Sequence, residues 1–433
     1  MKTKEKAVNQ QIKPKKSKGK KALKVLGIIL AVIVVLAGVV AVVNTVGNKG
    51  NIEKAQSFEA VKYDERLVPE KDENGYWTFT TNKDFRVMQL TDVHIGGGFM
   101  SGKKDSMALN AVAAMITAEK PDLVIVTGDI SFPVPYQAGT FNNLAAAKVF
   151  AALMEKLGVY WTLGYGNHDT EAYSYYSRQE LSEFYTSDEL KYCLFEVGPE
   201  DVDGYGNQVI NVKNKRGVIT QSLFVFDSHS YVDGDILGIM WKYDNIHENQ
   251  VQWYKNTLKT LNEQNDKILK LRKSDIKSAA FFHIPLTEQK DAWYEYAENG
   301  FKDTENVKLI YGTAGESGKV VYSGIKEDNL FEAMQELGST KAVFCGHDHY
   351  NNFSIEYKGI RLTYGMSVDY LAYPGIYQKG SQRGCTMITF TPKGDFDCKP
   401  ESYYQEKYIS QYDKEAVTMQ EIKPIDFAKI NQG

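Results

Sequence analysis

The stretch FCGHDHYNN, residues 344–352, sets His347 and His349 around Asp348, directly after an apolar run and a glycine. An apolar run of four to six residues, rich in β-branched and aromatic side chains and stopping abruptly at polar ones, reads as a buried strand. Outward from it the same form recurs at FRVMQLTD (85–92), PDLVIVTGD (121–129), VYWTLGYGNHD (159–169), SLFVFDS (222–228) and AAFFHIP (279–285), and KAVFCGHDH (341–349) closes the series. Helical stretches lie between them. DSMALNAVAAMITAEK (105–120) has Asp105 or Ser106 as N-cap, TFNNLAAAKVFAALMEKLG (140–158) stops at Gly158, and NLFEAMQELG (329–338) stops at Gly338. Strands alternating with helices predict an α/β architecture. Residues 170–220 and 287–325, rich in Tyr, Gly and charge, fit the alternation badly and read as long insertions.

All of these runs except SLFVFDS end in residue types that bind hard or borderline metals: Asp92 and His94, Asp129, Asn167 and His168, His283, then His347 and His349. Six of the seven histidines in the chain stand at strand ends, counting His229. Solvated histidines should scatter over helices and loops, so this distribution needs a cause. Each signal alone is weak, because Asp-x-His is frequent, TGD after a strand is usually a turn, and a lone histidine is more often a bonded core residue. Together they are specific, since α/β sheets gather ligands outside the carboxyl ends of their strands.

The chemistry explains the residue types. Two metal ions about 3.5–4 Å apart need a shared ligand, and a carboxylate with two oxygens can bridge them. Neutral imidazoles with an amide or carboxylate suit Zn, Fe, Mn or Ni better than Ca. Water between such ions is acidified into a nucleophile at neutral pH, which is the equipment for hydrolysing a phosphate ester.

The motifs DVH, GD, GNHD, H and GHDH in this order resemble the calcineurin-like metallophosphoesterase superfamily over roughly residues 85–395. FFHIPL, GHDHYNNF and Tyr364–Gly365 resemble more narrowly the single-domain purple-acid-phosphatase-28/29-like group. The resemblance implies two mixed β-sheets packed face to face with helices outside. It implies that Asp92, His94, Asp129 and His349 hold one metal ion and Asp129, Asn167, His283 and His347 the other, with Asp129 as the bridge. His168 would face the scissile phosphate as a charge stabiliser or proton donor, with Asp169 orienting its ring. The substrate would be a phosphoester, with a lean towards monoesters; a diester substrate or a non-catalytic binding module are the alternatives.

The amino terminus places the domain. The first 24 residues hold ten lysines and one acid, and VLGIILAVIVVLAGVVAVV (25–43) follows without a charge or proline. That length suits a helix crossing a bilayer, and it exceeds the apolar part of a cleavable signal peptide, the nearest competing reading. Lysines before the span predict a cytosolic amino terminus and an extracytoplasmic domain. Residues 44–72 read as a stalk and 73–433 as the domain. Without the tail, 41 basic residues face 54 acidic ones, a net charge of −13, so nucleic acid is not an expected partner and the lipid bilayer is. Of Cys193, Cys345, Cys385 and Cys398, the pair Cys385 and Cys398 is the first candidate for a disulfide outside the cytosol.

Other candidates carry bland readings. His229 serves substrate or structure, Asp227 is a local hydrogen-bonding partner, and His247 is a solvated surface residue. EAYSYYSRQELSEFYTSDEL (171–190) packs as a helix or walls the pocket, and Asp348 should turn away from both metals.

Two positions depart from the purple acid phosphatases. The place of the tyrosine that gives those enzymes their colour, three residues after the bridging aspartate, holds Phe132, and His94 is a ligand type they lack. Purified, metal-replete protein should therefore have no visible charge-transfer band; an intense absorption in the purple region would overturn this.

Overall fold

Runs that are apolar at every position require cover on both faces, and the chain supplies it with four layers. The computed structural model describes residues 18–412, 414, 415 and 417, apart from 236–237, 271–273, 318–319, 327, 374–375 and 377–382. The first part of the basic tail, residues 1–17, lies outside the described residues, as does most of the segment after 412.

In chain order the first half comprises α1 (Lys18–Gln56), β1 (Glu70–Lys71), β2 (Trp77–Thr80), β3 (Phe85–Leu90), α2 (Gly102–Glu119), β4 (Leu123–Thr127), α3 (Pro135–Ala138), α4 (Asn143–Leu157), β5 (Trp161–Gly164), α5 (Arg178–Tyr185), β6 (Gln208–Lys213) and β7 (Ile219–Val225). The second half comprises α6 (Glu248–Leu269), β8 (Lys277–Phe281), α7 (Thr287–Glu298), β9 (Val307–Tyr311), α8 (Leu330–Leu337), β10 (Thr340–Cys345), β11 (Ser354–Tyr357), β12 (Ile360–Tyr364), β13 (Gly384–Phe390) and β14 (Phe396–Ser402). They form a nine-stranded sheet in the order β1-β2-β6-β7-β8-β10-β12-β11-β9 and a five-stranded sheet in the order β14-β13-β3-β4-β5. Both are mixed: β3, β4 and β5 run parallel, as do β7, β8, β10 and β12, while hairpins flank them.

Alternate residues of each central strand serve different cores. Phe85, Val87, Leu123 and Ile125 of the small sheet meet Leu223, Val225, Phe281 and Phe344 of the large one in the layer between the sheets. Their neighbours Met88, Leu90, Val124 and Val126 face α2 and α4, whereas Phe224, Ala280 and Val343 face α6, α7 and α8. The two-sheet α/β sandwich expected from the resemblance is the fold.

Several expectations need correction. The segments read as insertions hold strands of their own: β6 pairs antiparallel with β7, and β9 with β11. α2 starts at Gly102 after Ser101, so Asp105 is no N-cap; its buried carboxylate accepts from Gly96 N, Gly97 N, Ser101 Oγ and Asn51 Nδ2 at 2.8–3.1 Å. α4 follows its predicted course, with Asn142 capping Ala145 N at 3.0 Å and Gly158 ending it at φ 67°. The cysteine pair is excluded by register. Cys385 stands opposite Glu401 and Cys398 opposite Ile388, three positions along the ladder, and the two side chains enter cores on opposite faces of the sheet. A disulfide needs Cα atoms within about 7 Å, and all four cysteines are free thiols.

The segment expected as a stalk behaves differently too. Residues 44–56 continue α1 as one helix and pack against α2 and α4, with Ala55 in the core. The apolar part of α1 is exposed throughout, from Leu23 to Val46. It is long and apolar enough to cross a membrane, a property that a signal sequence shares.

Candidate metal centre

The carboxyl ends of the two sheets meet at one seam, and the seven side chains expected as ligands converge there. β3, β4 and β5 lead to Asp92 and His94, to Asp129 and to Asn167 from the small sheet; β8 and β10 lead to His283, His347 and His349 from the large one. All are buried except His347, which is half-buried. The chain turns sharply to aim them: φ is 51° at Asp92, 51° at His94, 55° at Asp129 and 77° at His347. Left-handed backbone at a non-glycine residue costs about 1–3 kcal/mol. Hydrogen bonds hold it, within the small sheet's loops from Asp92 N to Gly128 O (3.1 Å) and His94 N to Asp129 O (3.0 Å), and across the seam from His347 N to Asp92 Oδ2 (3.2 Å).

Asp129 sits at the middle. Its Oδ2 lies 3.2 Å from His283 Nε2 and 3.3 Å from His94 Nε2, and its Oδ1 accepts from His168 N at 2.8 Å. On one side His283 Nε2 stands 3.1 Å from Asn167 Oδ1 and 3.2 Å from His347 Nδ1. On the other, His349 Nε2 stands 3.3 Å from Asp92 Oδ1, a buried oxygen without a hydrogen-bond partner. His283 Nδ1 faces Thr127 O at 2.9 Å as a donor, and Asn167 donates its Nδ2 to Tyr231 Oη at 3.0 Å. When His283 is neutral, what both then turn to the centre are lone pairs, and facing lone pairs repel unless a proton or a metal cation lies between them. Atoms bound about 2.1 Å from one ion stand roughly 3.0–3.4 Å apart in octahedral to tetrahedral arrangements, so the spacing fits.

Charge leads to the same place. Among the described residues no lysine or arginine pairs with Asp92, Asp129 or Asp369, although all three are buried. A buried charge must be paired or coordinated. Burial works against ionised Asp129, yet the histidines beside it, His283 first, hold it well below the carboxylate range. Burial likewise opposes a charged His94, but Asp369 and Asp129 push it up to about 10. These residues fit a dinuclear metal centre, and the ligand loops leave no slack around it. A Cβ on Gly166 would come within 2.1 Å of Asp129 Oδ1, and one on Gly128, at φ 86°, within 2.6 Å of His283 Nδ1.

His168 stands apart from these seven candidate ligands. Its ring packs 4.8 Å from Phe132, which itself stacks on His94 at 4.6 Å, so the residue in the colour-giving tyrosine's place serves as a wall. His168 Nδ1 bonds Glu171 Oε1 at 2.6 Å. Asp169, expected to orient that ring, does not touch it. Its carboxylate accepts instead from Asp129 N, Ser131 N and Gly166 N at 2.8–2.9 Å, tying the loop after β5 to the loop after β4. A carboxylate one residue after a histidine in this turn points back to the backbone, whereas the residue three on reaches the ring.

Three partners escaped the sequence reading. Glu171 is one. Tyr231 links Asn167 to Glu171, its hydroxyl 3.3 Å from Glu171 Oε1. Asp369 is the third: its Oδ2 bonds His349 Nδ1 at 3.2 Å, its Oδ1 lies 3.3 Å from His94 Nδ1, and the amides of Leu371, Ala372 and Tyr373 fix it. Such a carboxylate behind two imidazoles sets which ring nitrogen faces the metal. The available signal was an acid shortly after the strand RLTYG.

The remaining candidates resolve simply. Asp348 turns away from the seam and accepts from Tyr364 Oη at 2.6 Å and Tyr322 N at 3.1 Å. His229 and His247 stack on each other with ring centroids 4.0 Å apart. Gln250 takes His229 Nε2, while Asp203 and Asp244 take the two nitrogens of His247, so this cluster closes on itself; His247 is more engaged than expected. Asp227 pairs with Arg178 and accepts from Tyr205 N and His229 N. The tyrosine-rich stretch does both things expected of it: Glu171 and Tyr173 line the cleft over the seam, whereas Leu181 and Tyr185 pack in the core. That cleft is about 580 Å³ in volume and opens over His168, His347 and His349.

The sequence profile of the family described as calcineurin-like phosphoesterase matches residues 85–351, more than half of the chain. The chain belongs to the calcineurin-like phosphoesterase family. Among curated relatives it is similar to probable inactive purple acid phosphatase 28 of Arabidopsis thaliana, at 28% identity over 68% of this chain and 73% of the relative. It is also similar to phosphatase DCR2 of Saccharomyces cerevisiae, at 30% identity over 64% of this chain and 46% of that protein. Among solved structures, a dimetal phosphatase from Danio rerio aligns with 74% of this chain and 97% of its own at 12% identity and a TM-score of 0.45. The narrower resemblance seen in the sequence agrees with these relatives.

Within this calcineurin-like centre, His347 lies against His283 and His349 against Asp92, two different groups of candidate ligands. Metal analysis of purified variants should find about one ion fewer in His347→Ala and in His349→Ala than in wild type. Burial raises the Asp348 carboxyl well above its usual range, with Glu316 adding to it, so a neutral amide is a close substitute and Asp348→Asn should retain both ions. Loss of metal in the Asp348 variant would contradict the division.

Proposed function

We propose that this chain is a membrane-anchored phosphoesterase that hydrolyses phosphate esters at a two-metal centre, with a preference for phosphomonoesters. The observation that carries the reading is the convergence of buried imidazole, amide and carboxylate groups around Asp129 beneath an open cleft, with His168 beside them but outside the proposed ligand set. The ligands would be Asp92, His94, Asp129 and His349 for one ion and Asp129, Asn167, His283 and His347 for the other, drawn from Fe, Mn, Zn or Ni. Bound there, two ions supply charge neutralisation for the phosphoryl oxygens and an acidified water as nucleophile.

The chain's own residues account for the rest. His168 donates Nδ1–H to Glu171, which leaves Nε2 for the cleft, where the doubly protonated ring can pass its Nε2 proton to the departing ester oxygen and end neutral. Glu171 stabilises that imidazolium and fixes the ring's orientation, and Tyr231 holds Glu171 and the Asn167 amide in one chain of hydrogen bonds. Phe132 keeps water off one face of His94 and His168. Asp169 acts on the backbone rather than on the proton donor.

Full-length protein in detergent, supplied with Mn, Zn, Fe or Ni, should hydrolyse p-nitrophenyl phosphate faster than bis-p-nitrophenyl phosphate. His168→Ala should lower kcat by roughly 10²–10⁴-fold, and Glu171→Gln by less, while metal content stays at the wild-type level. The reverse substrate order would make the chain a phosphodiesterase. Inactivity on both with every metal would favour a non-catalytic binding module, the reading to which the plant relatives' designation as probable inactive points.

The exposed apolar stretch of α1 supports a single-pass anchor, and the ten lysines before it support a cytosolic amino terminus with the domain outside. In that topology protease added to intact cells removes the domain; full protection would reverse the orientation.

A further inference from the structure

We infer that the mouth of the metal-lined cleft rests on the bilayer surface, and that the phosphoester it takes is carried on a lipid. The inference rests on the anchored-hydrolase reading above. Its own support is the way α1 joins the domain.

A flexible stalk would leave the cleft free to face bulk water, but α1 is wired in place. Asn44, Asn48 and Asn51 recur at helical spacing on one face. Asn44 donates to Gly139 O at 3.0 Å and accepts from Phe99 N at 2.8 Å, and Asn48 donates to Ala145 O at 3.0 Å. Asn51 donates to the buried Asp105, which also binds the amides of Gly96 and Gly97 in the loop just after His94. The apolar stretch continues to the point of contact, with Val42, Val43 and Val46 exposed beside Asn44.

The cleft begins almost at that contact. Gly139 ends α3, and Val134 and Tyr136, at the start of the same helix, line the cleft. Three helical residues span only about 5 Å. The rim therefore stands within about one helical turn of the place where the span meets the domain.

The rim is apolar and aromatic in a way that a water-soluble substrate does not require. Beside the span, Phe99 and Met100 are 45% and 52% exposed, and Tyr136 is 76% exposed. From a separate segment the consecutive residues Ile239, Met240 and Trp241 are 70%, 58% and 60% exposed, and Ile239 and Trp241 line the same cleft. Clustered exposed apolar side chains mark an interaction surface, and Trp and Tyr favour the headgroup level of a membrane. Phe99 lies against α1 at Asn44 and Gly47, and Tyr136 shares the cleft with Ile239 and Trp241, so the partner we assign to these side chains is the bilayer. A phosphoester entering between these rims comes from the headgroup layer.

The test uses full-length protein in phosphatidylcholine vesicles. Brominated phosphatidylcholine should quench the Trp241 emission, so wild type loses fluorescence and Trp241→Phe loses much less; equal losses in the two proteins overturn the docking. In the same vesicles phosphatidic acid or phosphatidylglycerol should be hydrolysed with a kcat/KM at least roughly tenfold above glycerol 3-phosphate or glycerophosphoglycerol. Soluble forms that react as fast, or no turnover of either form, overturn the lipid substrate. The underlying reading fails separately: release by alkaline carbonate removes the span, and inactivity on p-nitrophenyl esters with quenching intact removes the hydrolase while leaving the docked surface.

Discussion

Three carboxylates, Asp92, Asp129 and Asp369, lie buried at the seam of two sheets with no lysine or arginine paired to them among the described residues. Ionised carboxylates in that setting need positive charge, and the imidazoles beside them, His283 and His94 against Asp129, supply it only by taking up protons. Metal ions meet both needs together. The carboxylates gain their charge, and the lone pairs of His283, Asn167 and His347 gain something to point at. Much of the local architecture follows from holding this arrangement together.

Holding it takes unusual backbone. Four of the residues involved adopt left-handed conformations, and neighbouring glycines let the loops approach more closely than any side chain would permit. The strain is carried by rigid elements behind it. Strands buried on both faces end at the seam, and the buried Gln89 stitches the two sheets together there through Cys345 O and Thr127 Oγ1. Asp169 plays the same part between two loops, which is why it stands next to His168 in the chain without bonding its ring.

The clustering of the seven candidate residues was legible because strand ends leave a plain mark: an apolar run, then a residue of a metal-binding type, repeated in order. The helices with glycine stops, such as α4 and α8, were legible for a similar reason, since Gly158 and Gly338 take up positive φ. What the sequence hid were contacts set by direction rather than spacing. Glu171 and Asp169 are equally acidic neighbours of His168, and only the turn after β5 decides which reaches the ring. Asp369 lies far along the chain from His94 and is brought to it by β12. Cys385 and Cys398 look like partners until the ladder register puts them on opposite faces. The supposed stalk looked featureless because three asparagines do not make an apolar stripe, although they dock the helix.

That docking gives the molecule its orientation. A helix held rigidly beside the cleft makes the same loop answer to two constraints, since Gly96 and Gly97 are fixed through Asp105 to α1 on one side and follow His94 on the other. The account stands or falls on the metal pair. An anomalous difference map from crystals of the metal-loaded protein should contain two peaks about 3.5–4 Å apart on either side of the Asp129 carboxylate, with His168 bound to neither. A single peak, or one coordinated by His168, would contradict it.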